Sequence, residues 1–488
     1  MKTSIKYALI VGMSTILVGA TSCKKELLDP VPETQVSDAE AFDYPFRITN
    51  QINALYSSLK NGQMYGGRVL VYGDSRAEEF LSEDPNLVTG SDVWGLNITN
   101  SGTAVLNLWS QAYFVINSVN VFLDGMNEKG LSVIGTAIGT NYMAEARLIR
   151  AVAYMNLLQF YARPYAEGNG SKLGVPLRLT GLKTFGYSDL VRSSVADVYA
   201  QILADLDFAE TNLPTTYSTP LLRTTRAHKN TAIAIKTRVY LTMQKYSNVI
   251  TEANKIVPLV APFNASSGVT HVLEPDYANL FKTPFTSSES ILSMPFTTGT
   301  GDAPGTQNGL QGYYYASASG SGSIYSLNPN GIIGNTTGWP STDRRRTFIF
   351  TSGSGSNAGK KYLTKFPTAA PADYTPVIRW AEVLLNLAEA LARTNSGVDS
   401  RALALLNAVR KRSDSGVTLA PATQDELIAA IMLERRIEFL GEGLRNNDIT
   451  RLLQTIPAKG NVGAKTPADD GYIWPASATE KSLNKLWV

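Results

Sequence analysis

Cysteine is all but missing from this chain. One thiol, Cys23, stands in 488 residues, so no disulfide can form within the chain and the fold must rest on packing and polar contacts. Histidine is nearly as scarce. His228 and His271 are the only two, they lie far apart, and neither has a metal-ligand pattern beside it. An excess of charge of one sign is lacking too. The formal net charge is +3. Losing Lys2 and Lys6 leaves 42 basic against 41 acidic residues. A near-neutral surface does not offer the concentrated Lys and Arg that capture nucleic acid or anionic lipid. No apolar run is long enough to span a bilayer, which takes about 20 residues in a helix. A G-x-S-x-G nucleophile elbow is absent. The stretch "GSGSNAGKK" imitates a phosphate loop, but its glycine spacing is wrong and Lys361 stands where Ser or Thr would hold magnesium. It predicts a flexible hairpin.

The position of the one cysteine is informative. "MKTSIK" is basic, Tyr7 to Val18 is apolar, and Gly19, Ala20, Thr21 and Ser22 are small. This is the layout of a secretory signal, here residues 1–22. A cysteine directly after it resembles the lipobox of bacterial lipoproteins, in which that thiol is acylated; Ala20 replaces the usual leucine three positions before it. Buried acyl chains contribute about 0.8 kcal/mol per CH2, so a lipidated Cys23 anchors the chain without a membrane helix. Residues 23–40, with "KKELLDPVPETQVSD", read as a polar tether.

The body, residues 41–488, is 44% apolar over the whole sequence, enough for a sizeable core. Helical periodicity dominates. "YMAEARLIRAVAYMNLLQFYARP" sets Leu148, Ala151, Val152, Met155 and Leu158 on one face, and "VIRWAEVLLNLAEALAR" does the same with Trp380, Val383, Leu384, Leu387 and Leu391. Breaks at "MQKYSNV" and "RTNSGVDS" predict helix–turn–helix pairs of the tetratricopeptide kind, which stack into a solenoid. Residues 260–371, approximately, are too rich in Gly, Ser, Asn and Pro for helix and predict long loops with short strands at "SILSMPF" and "RTFIF". A second irregular segment is expected from Gly62 to Gly102. The fold class is therefore mostly α: a helical-pair scaffold over about 41–260 and 372–455, carrying a loop-rich insert.

The densest charge lies in "LERRIEFLGEGLRNND". Glu434 and Glu438 have a spacing that a glycosidase could use. Arg435, Arg436, Arg445 and Arg451 favour a salt-bridged scaffold helix instead, because arginine neighbours lower the pKa that a catalytic acid needs raised.

In order and spacing, several segments resemble the SusD/RagB family of outer-membrane nutrient-binding lipoproteins of Bacteroidetes. They are "SCKKELLDPVP", "GDSRAEEF", Trp109 with Tyr113 and Asn117, "AEARLIRAVAYMNLLQFY", "RTTRAHKNTAIAIKTRVYLTMQKY", "LNAVRKR" and "LERRIEFLGEGLRNNDITRL". Two places depart from the family pattern: Asn446 and Asn447 stand where aromatics are usual, and the proline-rich C-terminal segment is reduced to "GYIWPASATEKSLNKLWV". The resemblance implies a surface protein without catalytic activity. It would bind an oligosaccharide or polysaccharide and pass it to a SusC-type TonB-dependent outer-membrane transporter.

Sugar recognition needs flat apolar faces and placed polar groups. The resemblance points to two loop regions for them. "SDVWGLNITN" offers Trp94 with Asn97; the later loops offer Tyr313, Tyr314, Tyr315, Tyr325 and Trp339. Trp94 and Trp339 lead, since an exposed indole is costly without a partner. Asp74, with Arg76, either receives a sugar hydroxyl or fixes a turn, and local pairing of charges favours the turn. No cofactor is called for, though the loops leave room for a structural calcium ion. A lipid-anchored glycosidase and a peptide-nutrient-binding or protein-interaction scaffold remain as alternative readings.

Overall fold

A computed structural model describes residues 40–487 except 185, 187–188, 298, 300, 306, 315–322, 354 and 368–372. Cys23, the leader and Tyr315 lie outside the described residues.

Helix α1, Pro45–Leu59, starts with proline at its first turn and buries Ile48, Ile52, Leu55, Tyr56 and Leu59 along one stripe. Helix α2 is Arg68–Ser75, and every one of its residues is buried. The expected irregular segment from Gly62 to Gly102 contains it because eight residues are too short a window for a helical period to be read. Helix α3, Thr103–Gly125, and α4, Thr136–Tyr161, pack on each other. Helix α5, Val195–Asn212, follows, capped by the Ser194 hydroxyl, which accepts from the Asp197 amide at 3.0 Å.

The helix pairs expected from the sequence are present. Helix α6, Lys229–Thr242, packs on α7, Tyr246–Ala253, and on α5. Helix α8, Trp380–Thr394, buries each residue from Trp380 to Ala392 and packs on α6, α7 and its own partner α9, Ser400–Ser413. Asp399 caps α9, its carboxylate accepting from the Ala402 amide at 2.7 Å. Helix α10, Gln424–Glu438, is capped by Thr423 and lies against α8. The run from α4 to α10 is a stack of helix pairs in which each neighbour covers the apolar face of the last.

The strands are short, and three of their pairings join distant parts of the chain or bracket a loop. Phe80–Ser82 pairs antiparallel with Tyr325–Leu327. Ser290–Met294 pairs with Thr375–Arg379. Ile349–Thr351 pairs with Lys361–Leu363, so the "GSGSNAGKK" stretch does close a hairpin. The first pairing matters most here, because it ties the loop-rich part to the end of α2.

A charged lattice holds the loops to the scaffold. The Arg345 guanidinium reaches Glu434 at 2.6 Å and Glu438 at 2.7 Å. Arg410 reaches Glu434 at 2.6 Å, and Arg379 and Arg412 close on Glu438 and Glu289. All of these groups are buried. Burial alone would raise the Glu438 carboxyl, but Arg412, Arg379 and Arg345 outweigh it and hold it well below the usual range. The carboxylates at 434 and 438 are thus salt-bridged scaffold, but not through the arginines expected from the sequence: Arg435 pairs with Asp448, Arg436 and Arg445 with Glu78 and Glu79, and Arg451 with Glu389 and Asp448. The departures at Asn446 and Asn447 are absorbed by hydrogen bonds: Arg76 Nε donates to Asn446 Oδ1 at 3.2 Å, and Asn447 Nδ2 donates to Thr242 Oγ1 at 3.3 Å.

Candidate ligand-binding site

The one-turn helix Ser91–Trp94 follows a left-handed glycine, Gly90, and presents a half-buried indole. Trp94 Nε1 donates to the Phe80 carbonyl at 2.8 Å, which fixes the ring to the strand Phe80–Ser82. The Lys459 ammonium stands 5.6 Å from the ring centroid. In front of the indole is an open pocket of about 680 Å³, lined by Ser82, Glu83, Ser91, Asn97, Asn461 and Lys465 among others.

The pocket's far wall is a tight hairpin. Ile456 and Lys465 exchange backbone hydrogen bonds of 2.8 and 3.0 Å, and Lys459 and Val462 exchange another pair across the turn Gly460–Asn461. Gly460 has φ +51°, and a Cβ there would stand 3.3 Å from the Trp94 ring. Glycine therefore lets the turn lie against the indole. Asn97 and Asn461 are exposed, and neither amide side chain is hydrogen-bonded to another described residue. Glu83 is committed, to the Lys360 ammonium at 2.5 Å and to the Ser326 hydroxyl.

Of the residues expected at the site, Trp94 and Asn97 line this pocket. Five others are buried and need correction, because a side chain at 0–1% exposure has no face to offer a ligand. Asp74 accepts from the Tyr314 hydroxyl at 2.9 Å. Burial pushes its carboxyl up to about 8, against the pull of Tyr314 and the Gly443 amide. Arg76 does not pair with it but donates to the Gly471 and Tyr472 carbonyls at 2.8 and 2.7 Å. Tyr314 packs on Phe80 with ring centroids 5.0 Å apart, and Tyr313 stacks on Tyr325 at 5.8 Å. Tyr313, Tyr314, Tyr325 and Asp74 thus pack around Phe80 and α2 beneath Trp94. Trp339 sits elsewhere, under the Arg346 guanidinium at 4.5 Å, and Arg346 Nε donates to its carbonyl at 2.7 Å. It avoids the cost of exposure by burial rather than by a ligand.

Sequence reasoning missed the hairpin. Its signal was present: "KGNVGAK" holds a Gly-Asn pair between residues able to form a ladder, which reads as a two-residue turn. Among the described residues, no group of three or more His, Cys, Asp or Glu is placed to hold a metal ion. No described helix is long and apolar enough to cross a membrane.

A stack of helix pairs carrying a loop-walled aromatic pocket defines a helical-scaffold protein with an open polar cleft beside an indole. Comparison with known proteins narrows this class. Residues 289–484 match the model described as SusD family, and residues 26–241 match that described as starch-binding associating with outer membrane. A SusD superfamily protein from Bacteroides fragilis is 30% identical in sequence, with TM-score 0.79 over 91% of this chain and 99% of that one. A SusD-like protein of Bacteroides ovatus is 26% identical over 94% of this chain and 85% of its own. A laminarin-binding SusD-like protein shares the fold with TM-score 0.71 at 22% identity, over 91% of this chain and 98% of that one. The chain belongs to the SusD/RagB family.

Proposed function

We propose that this protein is a lipid-anchored outer-membrane protein that binds a glycan in the Trp94 pocket and delivers it, unhydrolysed, to a SusC-type TonB-dependent transporter. The observation that carries this reading is the indole at an open pocket with two uncommitted amides, Asn97 and Asn461, beside it. Pyranose and furanose rings offer C–H faces to an aromatic and hydroxyls to amides. The family description of starch binding and outer-membrane association supports a glycan and a membrane location. The fold relative described as laminarin-binding points the same way. The leader and Cys23 support the anchor. Binding without turnover fits the fate of Glu434 and Glu438, whose carboxylates are locked in guanidinium pairs.

The test is retention of the purified protein on a panel of plant, fungal and host polysaccharides in affinity gels, with product analysis of the same samples. Retention by one glycan class, lost in Trp94→Ala and without released sugar, is expected. Released sugar, or retention indifferent to Trp94, would overturn the reading. Delivery is tested separately, by whether a TonB-dependent porin co-purifies with the protein from detergent extracts of its own membranes.

A further inference from the structure

We propose that the Ile456–Lys465 hairpin makes the pocket selective for a glycan carrying acidic groups, with Lys465 supplying the counter-charge. The proposal rests on the glycan-binding reading of the Trp94 pocket and names the class of glycan.

Lys465 is the one cationic side chain in the pocket lining among the described residues. Its ammonium has no ion-pair or hydrogen-bond partner among them, whereas the one carboxylate in the lining, Glu83, is taken by Lys360 and Ser326. Asp469 lies near enough for Lys465 to lower its pKa, after the larger effect of its bonds to Thr466. Its carboxylate is already accepting from the Thr466 amide and hydroxyl, at 2.6 and 2.8 Å. The pocket lining therefore carries, together with an aromatic platform, a lysine whose nearest acidic neighbour, Asp469, is exposed and held by Thr466 rather than paired with it.

The hairpin also fixes where the Lys465 side chain starts. Lys465 is held by its two backbone bonds to Ile456, and the turn at the other end of the ladder lies against Trp94. Lys459 anchors that turn, its buried ammonium donating to the Ser75 carbonyl and, at 2.9 Å, to the Ala77 carbonyl. The backbone that carries Lys465 and the platform are thus joined in one hydrogen-bonded unit. A sugar stacked on the indole with a carboxylate or sulfate toward the hairpin would come within reach of the Lys465 ammonium. A neutral sugar would meet a donor with no charge to match.

The experiment compares polygalacturonate with its carboxyl-reduced form, and a sulfated galactan with its desulfated form, on the purified protein. Wild type, Lys465→Gln, Lys465→Arg and Trp94→Ala are measured in parallel at low and high salt. An acidic polymer should bind about tenfold tighter than its neutral counterpart. Lys465→Gln should remove that preference and its salt dependence, Lys465→Arg should keep both, and Trp94→Ala should abolish binding of either form. Equal binding of acidic and neutral forms, or a preference unchanged in Lys465→Gln, overturns the acidic class; Trp94-dependent retention of a neutral glycan would then leave the glycan-binding reading standing. Binding indifferent to Trp94 overturns both.

Discussion

Trp94 is half-buried and its N–H is spent on a backbone carbonyl, so removing the ring takes away a surface rather than a core strut. Trp94→Ala should leave the cooperative unfolding transition in place while weakening glycan binding by about 2 kcal/mol or more, roughly thirtyfold, as calorimetric titration would show. Asp74 gives the opposite kind of prediction. Its carboxyl is held near 8 in the fold, against about 3.9 in an unfolded chain. The native state therefore keeps a proton that the unfolded state has released, and this group's stabilisation is complete below about pH 4 and drains away as pH rises towards 8. Asp74→Asn cannot ionise and should flatten the slope of the melting temperature against pH between about 5 and 8. An unchanged slope would count against a protonated Asp74. At this scale the sequence was legible where a residue sits in a polar loop beside glycines, as Trp94 and Asn97 do. It misled at Tyr313, Tyr314, Tyr325 and Trp339, because an aromatic in a loop reads alike whether the loop lies on water or on a helix.

Two elements carry predictions of their own. One is the turn of the hairpin. A methyl at position 460 would meet the Trp94 ring at 3.3 Å on a backbone with φ +51°, so Gly460→Ala must move either ring or turn. Glycan affinity should fall and the tryptophan emission should shift, with the far-ultraviolet spectrum unaltered. The other is α10, whose buried face carries Glu434 and Glu438 into the arginines of the loop-rich part. Breaking one partner of such a pair leaves a buried charge without its counter-charge. Glu438→Gln should cost about 3 to 5 kcal/mol in denaturant titration, and added salt should not erase the loss. Replacement of an exposed pair such as Lys129 with Asp43 should cost at most about 1 kcal/mol. The helix pairs were readable because their apolar residues recur at helical spacing over long windows, even in α8, which is buried from Trp380 to Ala392. Helix α2 was not, since its eight residues are too short a window for that period.

Across the whole molecule, stability against acid is set by groups that the fold has pushed away from their ordinary range. Burial pulls His228 down to about 3 and His271 to about 4, helped for His228 by the neighbouring His271 ring 5.2 Å away. An unfolded chain protonates both from about pH 6.5, so their contribution is whole above that and is lost as pH falls towards 3 to 4. Burial would raise Asp448, but Arg435 and Arg451 bring it down to about 2, and Glu389 and Glu442 are likewise held low by their cations. Their stabilisation is present above about pH 4 and lost as pH falls through their lowered values. Below about pH 6.5 the two histidines outweigh Asp74, so the melting temperature should fall as pH drops from about 6.5 towards 4. A series of melts from pH 3 to 9 checks this, and a midpoint that stays level from pH 7 to 4 would refute it. The sequence by itself determined the lone cysteine, the helical scaffold and the loop-rich insert, because residue counts, periodicity and glycine and proline content are local properties of the chain. Only the tertiary structure decided which aromatics face water, that a hairpin near residue 460 completes the pocket, and that the acidic pair at 434 and 438 is scaffold. Exposure and charge pairing depend on what packs alongside, and those neighbours lie from tens of residues away, as Arg410 does from Glu434, to hundreds, as Gly460 does from Trp94.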